Sequence, residues 1–234
     1  MSRILAVGCP KGGVGKTTSA VTLAAIAAKH LGLKTLVVDG DKNKSTVNWY
    51  SESEDQNMPF DVAEGAEEGQ IASLSKLRRS TNYDLTIVDL AGARTGGFQE
   101  ILQGSHGIPG ADFLLMPTQH GTMDLDALPP VIQKELPAGL PYLVALTMVS
   151  TEQLPTARYI QAQLREDYGW SVAETIIRRY AVYGEARDRF RTVLDMPGKH
   201  SYARTAEAEY KALAVEVFGH LDIDTTALEQ ENQP

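Results

Sequence analysis

Short apolar runs alternate with longer amphipathic or alanine-rich stretches along this 234-residue chain. Ile4-Leu5-Ala6-Val7, Thr35-Leu36-Val37-Val38, Leu85-Thr86-Ile87-Val88, Phe113-Leu114-Leu115-Met116 and Tyr142-Leu143-Val144-Ala145-Leu146 are bounded by Asp, Gly or Pro, which predicts strands. Between and after them the pattern predicts helices over 19–30, around 69–80, 123–135 and 154–168, and near 183–194 and 203–219. Near-continuous apolar strands separated by helices are what a parallel sheet covered on both faces requires. The expected fold class is therefore α/β: a single-domain, doubly wound, mostly parallel sheet with helices on both faces. The domain is expected to span 1–221, and 222–234 to form a polar, frayed C-terminal tail. The acidic segment 52–69 reads as a surface loop with little packed structure of its own.

Composition narrows the class without naming a chemistry. With 43% hydrophobic and 22% charged residues the chain is an ordinary globule, and its apolar runs fall far short of the roughly 20 residues of a membrane span. The N-terminus enters a strand within a few residues, which leaves no room for a signal peptide or an N-terminal DNA-reading domain, so a cytoplasmic location is expected. Cys9, the single cysteine, excludes an internal disulfide framework and a cysteine-only metal cluster held within one chain. The net charge of −8 argues against a wholly nucleic-acid-binding surface, but it is unevenly spread. Between Arg178 and Arg204 lie seven basic and three acidic residues, a local excess of +4.

The clearest chemistry lies in Lys11-Gly12-Gly13-Val14-Gly15-Lys16-Thr17-Thr18, between the first strand and the first helix. A glycine-rich turn there can aim several backbone N–H groups at one anion, and the helix N-terminus adds partial positive charge. Lys16 supplies a mobile cation for the terminal phosphates of a nucleotide, and the Thr17 hydroxyl can ligate Mg²⁺. Pro10 stands where the usual G-x-x-x-x-G-K-[ST] loop has its first glycine, and a second lysine, Lys11, opens the loop. Asp39, Asp41 and Asp89 follow or end predicted strands, where parallel strands deliver side chains to one sheet edge. Asp89 fits a carboxylate that supports a metal's water shell. Each carboxylate, taken alone, could equally cap a helix or end a solvated loop.

The loop in this deviant form, together with Val37-Val38-Asp39-Gly40-Asp41, Tyr83-Asp84-Leu85-Thr86-Ile87-Val88-Asp89 and Ala111 to Thr118 followed by Asp124-Leu125, resembles the ParA/MinD family of deviant Walker A P-loop ATPases. Leu146-Thr147-Met148, Glu174 to Ile177, Arg179 and Glu185-Ala186 extend the resemblance nearly end to end. It is nearest to small plasmid-type partition ATPases and VirC-like relatives. Lys42-Asn43 stands where the family usually has Pro-Gln, and Leu90-Ala91-Gly92-Ala93 where it usually has Thr-Pro-Pro. The resemblance implies ATP and Mg²⁺ as cofactors and slow, partner-stimulated hydrolysis. It further implies a homodimer with the nucleotides sandwiched between two copies. Lys11, Gly12, Gly13, Val14, Gly15, Lys16, Thr17 and Thr18 would hold phosphates, and Thr17, Asp39 and Asp89 would serve the metal. Lys11 would reach the partner's nucleotide, and Asp41 would orient the attacking water. Thr147, Ile177, Arg178 and Arg179 would border the adenine.

By the same resemblance, Arg178, Arg179, Arg187, Arg189, Arg191, Lys199 and Arg204 would hold non-specific DNA in the ATP state. The protein would then be nucleoid-associated and stimulated by a centromere-binding adaptor. Arg187 and Arg191 are spaced to share one helical face, which could equally be plainly solvated. Membrane docking of the MinD kind calls for a basic amphipathic tail, and this tail is acidic, so no membrane partner is expected. A bridging iron–sulfur cluster would need more cysteines than Cys9. The remaining alternatives are a P-loop ligase or kinase of cofactor biosynthesis similar to dethiobiotin synthetase, and a MinD-like positioning ATPase without its own membrane helix.

Overall fold

The computed structural model describes residues 2–40, 45–52, 58–65, 78, 82–90, 102, 110–196 and 202–231. Six parallel strands form one sheet: β1 (Arg3–Val7), β2 (Thr35–Gly40), β3 (Asp61–Glu64), β4 (Leu85–Leu90), β5 (Phe113–Thr118) and β6 (Tyr142–Leu146), in the order β3-β2-β4-β1-β5-β6. The helices are α1 (Lys16–His30), α2 (Ser45–Ser51), α3 (Leu154–Glu166), α4 (Ala181–Asp188), α5 (Ala203–Gly219) and α6 (Thr226–Glu231).

The two faces of the sheet are sorted by the period of two along each strand. Leu5, Val7, Val37, Leu85, Ile87, Phe113 and Leu115 point into one core with α1, α5 and Leu228 of α6. Ile4, Ala6, Leu36, Val38, Val88, Leu90, Leu114 and Met116 point into the other, with Ala157 and Leu164 of α3. Burial on both faces is why the strands read as apolar runs rather than as alternating ones. The alanine-rich helix α1 is buried from Ser19 to Ala27, and small side chains let it lie close on the sheet.

Four expectations give way to the observed fold. The segment 52–69 contains the edge strand β3, in register with β2 from Leu36↔Asp61 to Asp39↔Glu64. Its acidic ends hid a strand that buries little. The helix expected over 123–135 is broken into turns at Thr122–Leu125, Leu128–Pro130 and Val131–Glu135, since Pro129 and Pro130 remove two donors. The helix expected near 183–194 ends at Asp188. There Arg191 N–H bonds to Ala186 C=O (2.9 Å) and Phe190 N–H to Arg187 C=O (2.9 Å), a Schellman turn with Phe190 at φ 52°. The helix expected around 69–80 lies outside the described residues apart from Arg78.

The tail expected to fray from 222 onward instead carries α6, whose Leu228 is wholly buried. Replacing a buried Leu by Ala typically costs about 2–5 kcal/mol. We expect Leu228→Ala to lower stability by about 2 kcal/mol in denaturant unfolding, because a terminal helix can partly collapse. The exposed neighbour Gln230→Ala should change it by less than about 0.5 kcal/mol. Equal midpoints for Leu228→Ala and the wild type would show that α6 is not part of the cooperative fold.

Candidate functional site

In the strand order β3-β2-β4-β1-β5-β6, β2 and β4 lie on one side of β1 and β5 and β6 on the other. The strand order reverses there, which is where open α/β sheets place their ligand sites, outside the carboxyl ends of the strands. Val7 of β1 is the register partner of Asp89 on β4, and Asp39 of β2 is the register partner of the same Asp89. Three neighbouring strands therefore deliver the glycine loop and two carboxylates to one point.

The loop turns at Gly13 (φ 74°) and Gly15 (φ 86°), left-handed angles that a side chain would oppose. Gly15 is the N-terminal cap of α1, and its carbonyl accepts the Ser19 N–H at 2.8 Å. The N–H groups of the first helical turn have no partner within the helix, and no acidic residue sits in that turn. An anion is the natural ligand. Lys16 Nζ donates to the Lys11 carbonyl (2.9 Å), curling over the loop it belongs to. Lys11 Nζ lies at the rim, 3.9 Å from Asp124 Oδ1. Under the loop, burial pushes the Cys9 thiol pKa up, against the lowering pull of the Lys11 backbone and the Lys16 charge.

Asp39 and Asp89 are each 1% exposed. Asp39 Oδ2 accepts the backbone N–H groups of Thr46 (2.8 Å) and Val47 (3.0 Å), at the start of α2. Asp89 Oδ2 accepts two hydroxyls, Thr17 Oγ1 at 2.7 Å and Thr46 Oγ1 at 2.9 Å. Asp89 Oδ1 is buried and has no hydrogen-bond partner among the described residues. Burial is the main cause that raises the Asp89 pKa to about 6, with the Asp39 charge adding to it; the two hydroxyls and Lys16 pull the other way. A free carboxylate oxygen beside a threonine hydroxyl that gives its proton away is an oxygen donor set suited to a hard divalent cation such as Mg²⁺. The residues present fit that ion.

The other expected site residues divide. Thr147 is 1% exposed and donates to the Val14 carbonyl (2.7 Å) and the Thr118 carbonyl (3.2 Å), so its side chain braces the loop from below instead of offering a surface to adenine. Ile177 belongs to the core. Arg178 is ion-paired with Glu209 of α5 and lies 5.3 Å from the Tyr180 ring, whereas Arg179 is exposed. Arg187, Arg189, Arg191 and Arg204 are exposed. Arg189 and Arg191 fall beyond the end of α4, so the shared helical face expected for Arg187 and Arg191 does not form. Asp41 and Lys199 lie outside the described residues.

Sequence reasoning missed Thr46, although Ser45-Thr46 after a polar run is a helix-start signal. It also missed Gln119, whose Nε2 is 3.4 Å from the Gly13 carbonyl, and Met148, at φ 57° and 3.9 Å from Gln119 Nε2. No sequence pattern marks a methionine for the left-handed region.

Asp89 sets a pH dependence. Its folded-state pKa of about 6 lies above the ordinary 3.8, so between about pH 4 and 6 the folded protein keeps a proton that the unfolded chain has lost. Stability is therefore lost as pH rises through that window, by up to about 3 kcal/mol for a shift of roughly two units. Asn at this position keeps an acceptor for both threonines but leaves its own amide poorly satisfied. We expect ligand-free Asp89→Asn to be about 1–2 kcal/mol more stable than wild type at pH 8, with the difference gone near pH 4. Unfolding curves at the two pH values test this, and a wild type as stable as the variant at pH 8 would overturn it.

Residues 5–219 match the model of the CobQ/CobB/MinD/ParA nucleotide binding domain. The maintenance of carboxysome distribution protein A of Gloeobacter kilaueensis is 35% identical over 217 residues, covering 92% of this chain and 94% of that protein. The chromosome-partitioning ATPase Soj of Thermus thermophilus is 28% identical over 237 residues, covering 88% of this chain and 94% of that one. Among solved structures, the ATP complex of a Cyanothece McdA variant has a TM-score of 0.66 at 15% identity, covering 93% of this chain and 96% of that one, a likeness of fold. A match along nearly the whole chain, joined to a glycine loop and two buried carboxylates at one sheet edge, makes this chain a member of the CobQ/CobB/MinD/ParA nucleotide-binding family, of the ParA/MinD ATPase type.

Proposed function

We propose that this protein is a partition or positioning ATPase that uses ATP as a dimer switch. In this reading the glycine loop and Lys16 hold the phosphates, and Thr17 with Asp89 holds Mg²⁺, which neutralises charge on the phosphate oxygens when bound. Phosphoryl transfer asks a protein mainly for positioning and charge stabilisation, because its transition state is loose and its charge is spread over oxygens. Asp41 would orient the attacking water, and Asp39 would hold the start of α2 beside the metal. Hydrolysis would be slow until an adaptor protein completes or rearranges this edge.

The observation that carries the reading is the division of labour between the two lysines. Lys16 is turned inward onto its own loop, while Lys11 keeps its side chain 39% exposed, held among the described residues only by a long 3.9 Å ion pair with Asp124. A cation at the rim suits a role across a two-fold interface, where the partner subunit's Lys11 would neutralise charge on this subunit's nucleotide. Turnover then depends on dimerisation. The two named relatives distribute carboxysomes and partition chromosomes respectively, so the ATPase core is compatible with more than one cargo.

Non-specific DNA would be the track, held by exposed arginines at 179, 187, 189, 191 and 204 together with Lys199. Arg178, tied to Glu209, would serve that surface through its backbone position and not as a free charge. Among the described residues no helix is long and apolar enough to cross a membrane, and the nucleoid is the location this reading implies.

Sizing with ATP and Mg²⁺ tests the switch. Wild type should shift from monomer to dimer. Lys16→Ala should lose nucleotide binding, whereas Lys11→Ala should bind ATP within about threefold of wild type yet stay monomeric, with turnover reduced at least about tenfold. A monomeric wild type, or an unaffected Lys11→Ala, would sink the sandwich. On random-sequence duplex DNA, ATP should promote binding over ADP. The triple change Arg187→Glu, Arg189→Glu, Arg204→Glu should weaken that binding at least about tenfold and flatten its salt dependence, as expected when phosphate contacts are lost. Equal salt slopes would place the DNA contacts elsewhere.

A further inference from the structure

Asp89 receives two hydroxyl protons on the same oxygen, and only one comes from the glycine loop. The other comes from Thr46, which is 1% exposed and belongs to the first turn of α2. The same residue gives its backbone N–H to Asp39 Oδ2 at 2.8 Å. Thr46 thus touches both buried carboxylates at once, with a hydroxyl for one and an amide for the other. Asp39 and Asp89 are register partners on neighbouring strands, and two negative charges so placed repel each other.

A carboxylate held by one donor can turn about its last torsion and exchange its oxygens, because that torsion is broad and roughly two-fold. Two donors converging on Oδ2 from different elements remove that freedom. They leave Oδ1 as the atom with an unused lone pair, and Oδ1 is buried and unpartnered among the described residues. Thr17 cannot fix this orientation alone if its oxygen also serves a cation. Resting on the reading of this edge as a nucleotide–Mg²⁺ site, we propose that Thr46 is a positioning residue for the divalent cation, acting through Asp89, and that it ties α2 to the metal centre.

The consequence separates metal from nucleotide. Thr46 contacts no part of the glycine loop in the hydrogen bonds described, so loss of its hydroxyl should spare the loop's grip on phosphate and weaken only what Mg²⁺ adds. Residues that orient metal ligands from outside the coordination sphere typically cost about 10–100-fold in metal affinity when changed. Thr46→Val keeps the shape and removes the proton. Thr46→Ala removes it without setting a methyl against the carboxylates. Thr46→Ser keeps the hydroxyl.

The experiment measures binding of a fluorescent ATP analogue to the full chain, once in excess EDTA and once across a Mg²⁺ titration, with no turnover needed. For Thr46→Val and Thr46→Ala the Mg²⁺ midpoint should rise at least about tenfold while affinity in EDTA stays within about twofold of wild type. Thr46→Ser should return the midpoint to within about threefold. An unchanged midpoint in both hydroxyl-free variants would overturn the proposal. So would equal losses with and without Mg²⁺, which would make Thr46 a merely structural residue. A wild type whose affinity gains nothing from Mg²⁺ would overturn the site reading itself, an outcome distinct from the other two.

Discussion

Two buried aspartates on adjacent strands, Asp39 and Asp89, constrain everything around the sheet edge where they end. A carboxylate removed from water must be hydrogen-bonded or neutralised, and a pair of them costs more than either alone. The protein meets this demand with donors drawn from two separate helices. Thr17 comes from α1, Thr46 and Val47 come from α2, and the positive charge of Lys16 lies close by. The orientations of α1 and α2 relative to the sheet are therefore fixed by this carboxylate pair, of which Asp89 is the member a bound cation would engage.

That arrangement is incomplete as a structural motif, and the incompleteness is informative. A core selected only for stability would not leave Asp89 Oδ1 without a donor among the described residues or hold the acid's pKa near 6. Asparagine would satisfy Thr17 and Thr46 equally well at lower electrostatic cost. Retaining a carboxylate in so dry a position makes sense if a cation supplies the missing charge for part of the cycle. The strain at Met148 (φ 57°), beside the same loop, is a second local cost at this edge.

Much of this could be read from residue order. Buried parallel strands announce themselves as apolar runs, so five of the strands and the helix over 203–219 are visible in the pattern, and the glycine loop is visible in its spacing. What stayed hidden follows from the physics of the missed pieces. Strand β3 sits at the sheet edge, with Asp61 and Glu64 exposed, so it lacks the apolar run that marks its neighbours. Leu228 is the one buried apolar residue described in a polar tail, too little to produce a period. Thr46 acts through a hydrogen bond to a residue 43 positions away, which no local window contains. The burial of Thr147 and Ile177 was likewise hidden, since a resemblance places a residue near a site without telling a supporting side chain from a contacting one.

The C-terminal arginines are attached to this centre by a chain of close contacts rather than by a flexible link. Glu216 of α5 accepts the N–H groups of Glu174 and Thr175, and Glu209 accepts the Arg178 N–H and the Tyr180 hydroxyl. Two successive turns of α5 thus grip the segment that leads into α4. The next residue, Tyr210, meets Ser19 of α1 at 3.1 Å. The glycine-loop helix and the arginine-bearing segment consequently pack as parts of one body. If the proposed dimer switch holds, it offers a simple source of ATP dependence: two modest arginine faces joined rigidly would bind one duplex far more tightly than either alone, because the second engagement is intramolecular. On the proposed reading, a nucleotide that only brings two copies together would control DNA affinity without remodelling either arginine-bearing surface.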